Sequence, residues 1–203
     1  MGNEKYLMAF ATGGLFHSES MKLAALYLET GDWKVVREDV IEQNLLQART
    51  LSTLKRNCRE VITRLRELSK EELIFLVESN HKEQAYMLWI AVCRRYRFIA
   101  EFAQEVLRER YITLKADLNH EEYDAFFNRK SDWHPELESI KPITRNKLRQ
   151  VLFRILREAD LITDNHFINA AMLTPSFVHA LQSGRRQDLL CFPIFESDLK
   201  RIA

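Results

Sequence analysis

The stretch TLSTLKRNCREVITRLREL, residues 50–68, decides the fold class of this chain. At 100° per residue, its apolar side chains fall within about a third of the helical circumference. These side chains are Leu51, Leu54, Cys58, Val61, Ile62, Leu65 and Leu68. The pattern predicts an amphipathic helix that begins at Ser52, a natural N-cap, and ends at Leu68. Its clarity favours a mainly α-helical fold.

The composition of the whole chain supports that class. Only 5 glycines and 4 prolines occur among 203 residues, which favours long helices joined by short turns. Three isolated cysteines form neither a disulfide framework nor a Cys-x-x-Cys pair, as expected of a reduced cytoplasmic protein. No apolar run reaches the roughly 18 residues that a membrane-spanning helix needs. We therefore expect a soluble, cytoplasmic protein with no membrane partner.

Three units are predicted along the chain. Residues 1–68 hold three helices with two tight connections, the arrangement of a helix-turn-helix-like unit. Residues 69–115 form a central connector of buried helices, which opens with the capping box of Ser69 and Glu72. Residues 116–203 carry a helix that starts at Thr144, a small β-hairpin over residues 161–173 and a final helix capped by Thr174. That order predicts a C-terminal winged-helix-like unit.

Basic residues are concentrated in three places, although the net charge of the chain is only +1. On the helix of residues 51–68 they crowd one flank and are not interleaved with acids, unlike the usual solvated surface. The helix from Thr144 repeats the pattern, with six basic residues and no acid over residues 141–157. Residues 94–97 form the third cluster. Such patches concentrate positive potential where a polyanion could bind.

Duplex DNA is the polyanion that these patches favour, because a helix-turn-helix context accompanies two of them. The predicted contacts on and before the first helix are Arg49, Ser52, Thr53, Lys55, Arg56, Arg59 and Arg66. The second helix contributes Arg145, Lys147 and Arg149, and the third cluster contributes Arg94 and Arg95. Two alternatives stay open: the basic flank is an ordinary solvated face, or the third cluster is an internal ion-pair hub with glutamates such as Glu101.

Residue patterns that carry catalysis or cofactor binding are not found in the sequence. The six histidines have no metal-like spacing to one another or to cysteine. The Gly13-Gly14 pair lacks the Lys-Ser/Thr of a phosphate-binding loop, and no serine or cysteine sits in a nucleophile-elbow context. We predict that the protein is not an enzyme and that it uses no metal, cofactor or small-molecule substrate.

The segment LYLETGDWKVVREDVIEQNLLQARTLSTLKRNCREVITRLREL resembles the N-terminal region of the BrxA family of bacteriophage exclusion (BREX) systems. Trp33 after the Gly31 stop, Asn44 and the turn of residues 47–49 carry the resemblance, together with Ser52, Arg56 and the Arg64-Leu65 end. RRYRFIAEFAQEVLRERY and KLRQVLFRILREADLI extend it over most of the chain. The resemblance implies a mostly helical, cytosolic, DNA-binding accessory protein of phage defence, with helix-turn-helix and winged-helix-like parts.

Two function hypotheses follow. In the first, the protein contacts duplex DNA mainly through phosphates and with weak sequence specificity, with other BREX proteins as possible partners. In the second, it is an interaction adaptor in a multi-subunit defence complex, without direct DNA contact, whose basic faces meet acidic protein surfaces. RNA binding is a third alternative, which competition with duplex RNA separates from the first.

Overall fold

The computed structural model of the protein describes residues 5–181 and 186–202. Its first three helices are α1 (His17–Thr30), α2 (Trp33–Glu42) and α3 (Leu51–Leu65), and each packs against the other two. Gly31, with φ of 69°, ends α1 and donates its N–H to the carbonyl of Tyr27. The three predicted helices of this part of the chain are therefore present, and they bury their apolar sides against one another.

The turn between α2 and α3 is held by the side chain of Asn44. Its amide nitrogen donates to the carbonyl of Ala48 (3.1 Å), and its amide oxygen accepts the N–H of the same residue (3.0 Å). Asn44 and Gln47 both have left-handed backbone angles, with φ of 47° and 51°. Asparagine tolerates that conformation better than most residues. The backbone angles and the two side-chain hydrogen bonds of Asn44 together set the direction of α3 relative to α2.

The centre of the molecule is formed by α4 (Lys70–Glu78), α5 (His81–Arg95), α6 (Arg97–Phe102) and α7 (Glu109–Ile112). A π-helical segment, Ala103–Arg108, joins α6 to α7 into one continuous helical run. Nine successive residues of α5, from Ala85 to Cys93, are buried, which confirms the predicted central buried helix. The capping box of Ser69 and Glu72 at the start of α4 is also confirmed.

The C-terminal part consists of α8 (His120–Ser131), α9 (Pro135–Glu138), α10 (Pro142–Glu158), α11 (Pro175–Ala180), a 3₁₀ segment (Arg186–Cys191) and α12 (Glu196–Ile202). Thr174 caps α11 with its side chain, as predicted. The indole N–H of Trp89 donates to the carbonyl of Cys191 (3.0 Å), which ties the C-terminal segment to α5. The final described elements thus pack back onto the central helix.

The β-hairpin predicted over residues 161–173 is not formed as a pair of strands. Within residues 5–181 and 186–202 the only β pairing consists of two isolated antiparallel bridges, Ile162 with Ile168 and Asp117 with Phe167. His166, with φ of 63°, lies in the turn between Ile162 and Ile168, which form a single pairing. The fold is therefore mainly α, and its β content is smaller than the sequence pattern suggested.

Two predicted helix starts are displaced. Thr50, not Ser52, caps α3, because its hydroxyl oxygen accepts the N–H of Thr53 (3.2 Å). The helix predicted to begin at Thr144 starts at Pro142, since proline at the first helical position needs no N–H partner. As a result, Ser52 and Thr144, the predicted caps, lie within the first turn of α3 and α10.

One continuous hydrophobic core collects residues from every part of the chain. Residues 5–16, which precede α1 and have no regular secondary structure, contribute Tyr6, Phe10 and Leu15 to it. The division into units 1–68, 69–115 and 116–203 stays a prediction. Within residues 5–181 and 186–202, no helix is both long and apolar enough to cross a membrane.

Candidate nucleic-acid interface

The outer surface of α2 and α3 carries a cluster of cations that we name the basic face: Arg37, Lys55, Arg56 and Arg59. These side chains are exposed, and with Leu51 and Ser52 they line one open depression of about 620 Å³. Lys55, Arg56 and Arg59 follow one another along α3, while Arg37 faces them from α2. The turn at Asn44 therefore brings together cations that lie 18 residues or more apart in the sequence.

The cations of the basic face have no acidic partners in the part of the chain that the structure describes. No aspartate or glutamate oxygen of residues 5–181 and 186–202 lies within 4.0 Å of their nitrogen atoms. Like charges gathered in this way repel one another, and no ion pair with an acid of the described residues offsets that repulsion. An external polyanion would compensate for it, which makes the basic face the candidate interface.

The start of α3 adds polar groups beside the basic face. Arg49 and Ser52 are exposed, and no hydrogen bond of the Ser52 hydroxyl is found within the described chain. The Thr53 hydroxyl is already engaged, since it receives a hydrogen bond from the Thr50 hydroxyl (3.0 Å). Of the predicted contacts at this end of the helix, Arg49 and Ser52 are thus the more available to a ligand.

A buried arginine on the opposite side of α3 fixes the orientation of the helix. Arg64 is only 3% exposed. Its Nε pairs with Glu60 (2.8 Å), and its Nη1 donates to the carbonyl of Gly14 (2.7 Å). Burial, followed by a hydrogen bond to Glu60, raises the pKa of Tyr96, so this phenol stays protonated and donates to the same carboxylate. These contacts hold α3 so that Lys55, Arg56 and Arg59 point away from the core.

Arg66 lies apart from the basic face. It is exposed at the C-terminal end of α3 and lines a separate cleft of about 280 Å³ with Ser69, Glu72 and Arg94. The carboxylate of Glu72 at this cleft offsets part of its positive potential. The structure therefore does not group Arg66 with Lys55, Arg56 and Arg59.

Arg94 is part of an internal ion pair. Its side chain is 6% exposed, and its guanidinium donates to both carboxylate oxygens of Glu72 (2.6 Å each) and to Asp188 (2.7 Å). Burial acts to lower the pKa of Arg94, but the bonds to Glu72 and Asp188 outweigh it and raise the pKa above its usual value. The geometry matches the alternative of an ion-pair hub: Arg94 meets Glu72 and Asp188. Arg97 of the same cluster pairs with Glu101 (3.0 Å). Arg95 is about one-third exposed and lies 3.7 Å from Glu67.

The three predicted contacts of α10 separate into two groups. Arg145 donates to Asp124 and Asn128, and its guanidinium lies 4.4 Å from the ring centre of Phe127. Arg149 also pairs with Asp124. Lys147 is exposed and has no acidic partner in the described chain. Arg145 and Arg149 thus attach α10 to α8, and only Lys147 of the three points outward.

Arg37 is the functional candidate that the sequence reasoning missed. It belongs to α2, where Glu38 and Asp39 follow it directly. The net charge of this stretch of sequence is therefore not positive, and it does not indicate a basic patch. A helical projection of α2 gives a weak signal, because Val36 and Val40 are buried and Arg37 lies outside their side of the helix. Its place beside Lys55 and Arg59 depends on the α2–α3 packing. In the described residues no group of three or more His, Cys, Asp or Glu side chains could hold a metal ion.

Comparison with protein families gives one match over most of the chain. A family model described as BrxA matches residues 4–184. The chain is similar to the BREX protein BrxA of Escherichia coli O9:H4 (strain HS), with 27% identity, covering 93% of this chain and 90% of that protein. It is also similar to the BREX protein BrxA of Bacillus cereus (strain H3081.97), with 26% identity, covering 84% of this chain and 88% of that protein.

The fold is also found in a crystal structure. An uncharacterized protein from Magnetospirillum magneticum aligns with a TM-score of 0.79 and 20% sequence identity, covering 93% of this chain and 98% of that chain. At this identity the comparison supports the arrangement of helices and nothing further.

Proposed function

Because the chain belongs to the BrxA family, we propose that it works as a component of a BREX phage-defence system by binding duplex DNA. The binding is mainly to phosphates, with weak sequence specificity. The observation that carries this proposal is the basic face, where four exposed cations line one depression without acidic partners in the described chain. We propose a binding role and not a catalytic one, since the clustered groups are cations suited to phosphates.

The helix-turn-helix reading of residues 1–68 supports the same proposal. In such units the second helix of the pair faces the DNA and the first crosses the backbone. Here α2, the turn at Asn44 and α3 have that order, and the cations lie on the outer side of α3 with Arg37 on α2. Phosphate contacts from both helices would fix the orientation of the protein on the duplex.

We also propose that the C-terminal part of the chain is a winged-helix-like unit. The order α8, α9, α10 and the two bridges that join residues 117, 162, 167 and 168 support it. The turn between the bridged segments carries Asp164, which is fully exposed, and no lysine or arginine. An acid at this turn would repel phosphates, so we assign the C-terminal contact to α10, through Lys147.

The test is a titration of a fluorescent duplex at two salt concentrations with the full chain and a triple variant. Lys55, Arg56 and Arg59 are replaced by Ala together, and the matched control replaces the exposed Lys70, Lys115 and Lys200 by Ala, which removes the same charge. We expect the first variant to lose affinity and the control to keep most of it. The slope of log K against log salt falls by about 0.9 for each lost phosphate contact, or roughly 2.7 for three.

An equal effect of the two triple variants would reject the basic face and leave only a general charge effect. Competition with duplex RNA separates DNA binding from RNA binding. If the protein shifts no duplex but captures other BREX proteins after nuclease treatment, the adaptor function replaces the proposal. The exposed Trp133 (76%) and Ile143 (83%) are side chains that such partners could contact.

A further inference from the structure

The outer side of α10 carries a set of side chains different from those of the basic face. At 100° per residue, five of its exposed residues fall within an arc of about 100°, which we name the α10 face: Ile143, Asn146, Lys147, Gln150 and Arg154. Two of them are amides and one is a large apolar group that is 83% exposed. On this helix the only acid is Glu158, in the last turn, where it pairs with Arg154.

The α10 face is held outward by the two arginines between its members. Arg145 and Arg149 both turn inward to Asp124 on α8, and Arg145 also receives support from Asn128 and Phe127. This clamp sets the rotation of α10 about its own axis. No hydrogen bond from the side-chain amides of Asn146 and Gln150 to any part of the described chain is found, so both amides are available to an external partner.

The chemistry of these groups matches base edges in the major groove. A side-chain amide offers one donor and one acceptor, which fit N7 and N6 of adenine, and an exposed apolar side chain fits the methyl group of thymine. Lysine and arginine contact guanine or the flanking phosphates. The basic face, by contrast, presents cations and a hydroxyl, which recognise phosphates and carry little sequence information.

We propose that the α10 face enters the major groove of duplex DNA and supplies the sequence preference of the protein, with Asn146 and Gln150 as the residues that read adenine. This inference rests on the proposed DNA binding and deepens it. The charged members of the α10 face are both cations, Lys147 and Arg154, and the one acid of the helix, Glu158, pairs with Arg154. A helix of 17 residues is about 25 Å long, and a helix fits the groove width of roughly 12 Å.

The experiment selects bound duplexes from a pool with a randomised central segment. We expect enrichment of a short motif that contains A·T pairs. The enriched duplex should bind about 10-fold tighter than a scrambled one, which is the scale of one good amide–adenine contact. In the double variant Asn146→Ala and Gln150→Ala, this ratio should fall towards one, while affinity for the scrambled duplex stays within about 2-fold because the phosphate contacts remain.

The matched control is Gln187→Ala, an exposed amide outside α10, which should keep the ratio of the unaltered protein. The inference is overturned if no motif is enriched, if the double variant keeps the ratio, or if it loses affinity equally for all sequences. In those cases binding to the scrambled duplex still supports the proposed function. If the unaltered protein binds neither duplex, the proposed function fails together with the inference.

Discussion

The outer side of α3 and the inner side of α10 both carry closely spaced basic residues. A carboxylate lies opposite those of α10, but none lies opposite those of α3 in the described residues. Arg145 and Arg149 share Asp124, 21 and 25 residues away in the chain. Lys55, Arg56 and Arg59 have no such partner in the described residues. A basic cluster with an acid opposite it holds elements of the fold together, whereas one without an acid is free to bind an external anion. The predictions below test that distinction.

The largest expected effect comes from breaking the ion pair of Arg94 and Glu72, whose side chains are 6% and 3% exposed. In Arg94→Met, the buried carboxylate of Glu72 loses its bidentate partner. Removing one partner of a buried ion pair destabilises a protein by about 3–5 kcal/mol. Urea denaturation should show this loss, and duplex affinity of the folded variant should be unchanged because Arg94 is not on the basic face.

The control for this prediction is Arg95→Met. Arg95 is about one-third exposed and lies 3.7 Å from Glu67, so its removal should cost less than about 1 kcal/mol. A stable Arg94→Met protein with weakened duplex binding would contradict the structural role of Arg94 and return it to the set of DNA contacts.

Arg94 also shows how far the sequence could lead. The apolar periodicity of residues 51–68 was sufficient to predict α3 and its exposed basic flank, since both depend on positions within one helix. The partner of Arg94 could not be chosen from the sequence: Glu101 and Glu105 are nearer along the chain, yet Glu72 and Asp188 are the acids that meet it. Pairing between distant elements depends on tertiary packing, and so do the contacts of Arg145 and Arg149.

The β-hairpin illustrates a second limit of the sequence. Alternating apolar residues around a short polar turn predict strands, and the turn is present at Thr163 and His166, with a hydrogen bond of 2.9 Å. The flanking segments, however, pack individually against the core: Leu161 and Ile162 are buried and Ile168 is packed against it. Burial of these side chains fixes the segments with only a single bridge between them.

Asp124→Asn tests the paired side of the comparison with a smaller effect. Loss of the charge should lower the free energy of unfolding by about 1–2 kcal/mol, because the charged hydrogen bonds to Arg145 and Arg149 weaken at a site that is about one-third exposed. Duplex affinity should rise, since two arginines near Lys147 are released towards solvent. Asp132→Asn, on an exposed acid without an ion-pair partner in the described residues, is the control for the change in net charge. Unchanged stability would mean that the clamp contributes nothing to the fold.

The stacked rings of His17 and His81 extend the comparison to two groups that repel each other when both are protonated. The rings stack with centres 4.2 Å apart at the starts of α1 and α5. Burial, and then repulsion from His81, lowers the pKa of His17 below 6.5. The folded state therefore favours the neutral ring, and stability is fully present above pH 6.5 and declines as pH falls through that value towards the folded pKa. His17→Gln should flatten this part of the curve of unfolding free energy against pH. A curve of the same slope in the variant would assign the pH dependence to other groups.

The smallest effect is expected at Arg37, and it isolates the unpaired side of the comparison. Arg37 is exposed on α2 and joins Lys55, Arg56 and Arg59 only through the packing of α2 against α3. Arg37→Ala should change the free energy of unfolding by no more than about 0.5 kcal/mol, because no contact of the fold is lost. If its guanidinium meets one phosphate, duplex affinity should fall a few-fold and the salt slope should decrease by about 0.9. Lys34→Ala removes an equal charge from the same helix without touching the depression, so it should leave both quantities nearly unaltered. Equal losses from the two variants would mean that α2 contributes only to the general potential of the surface, and that the interface is confined to α3.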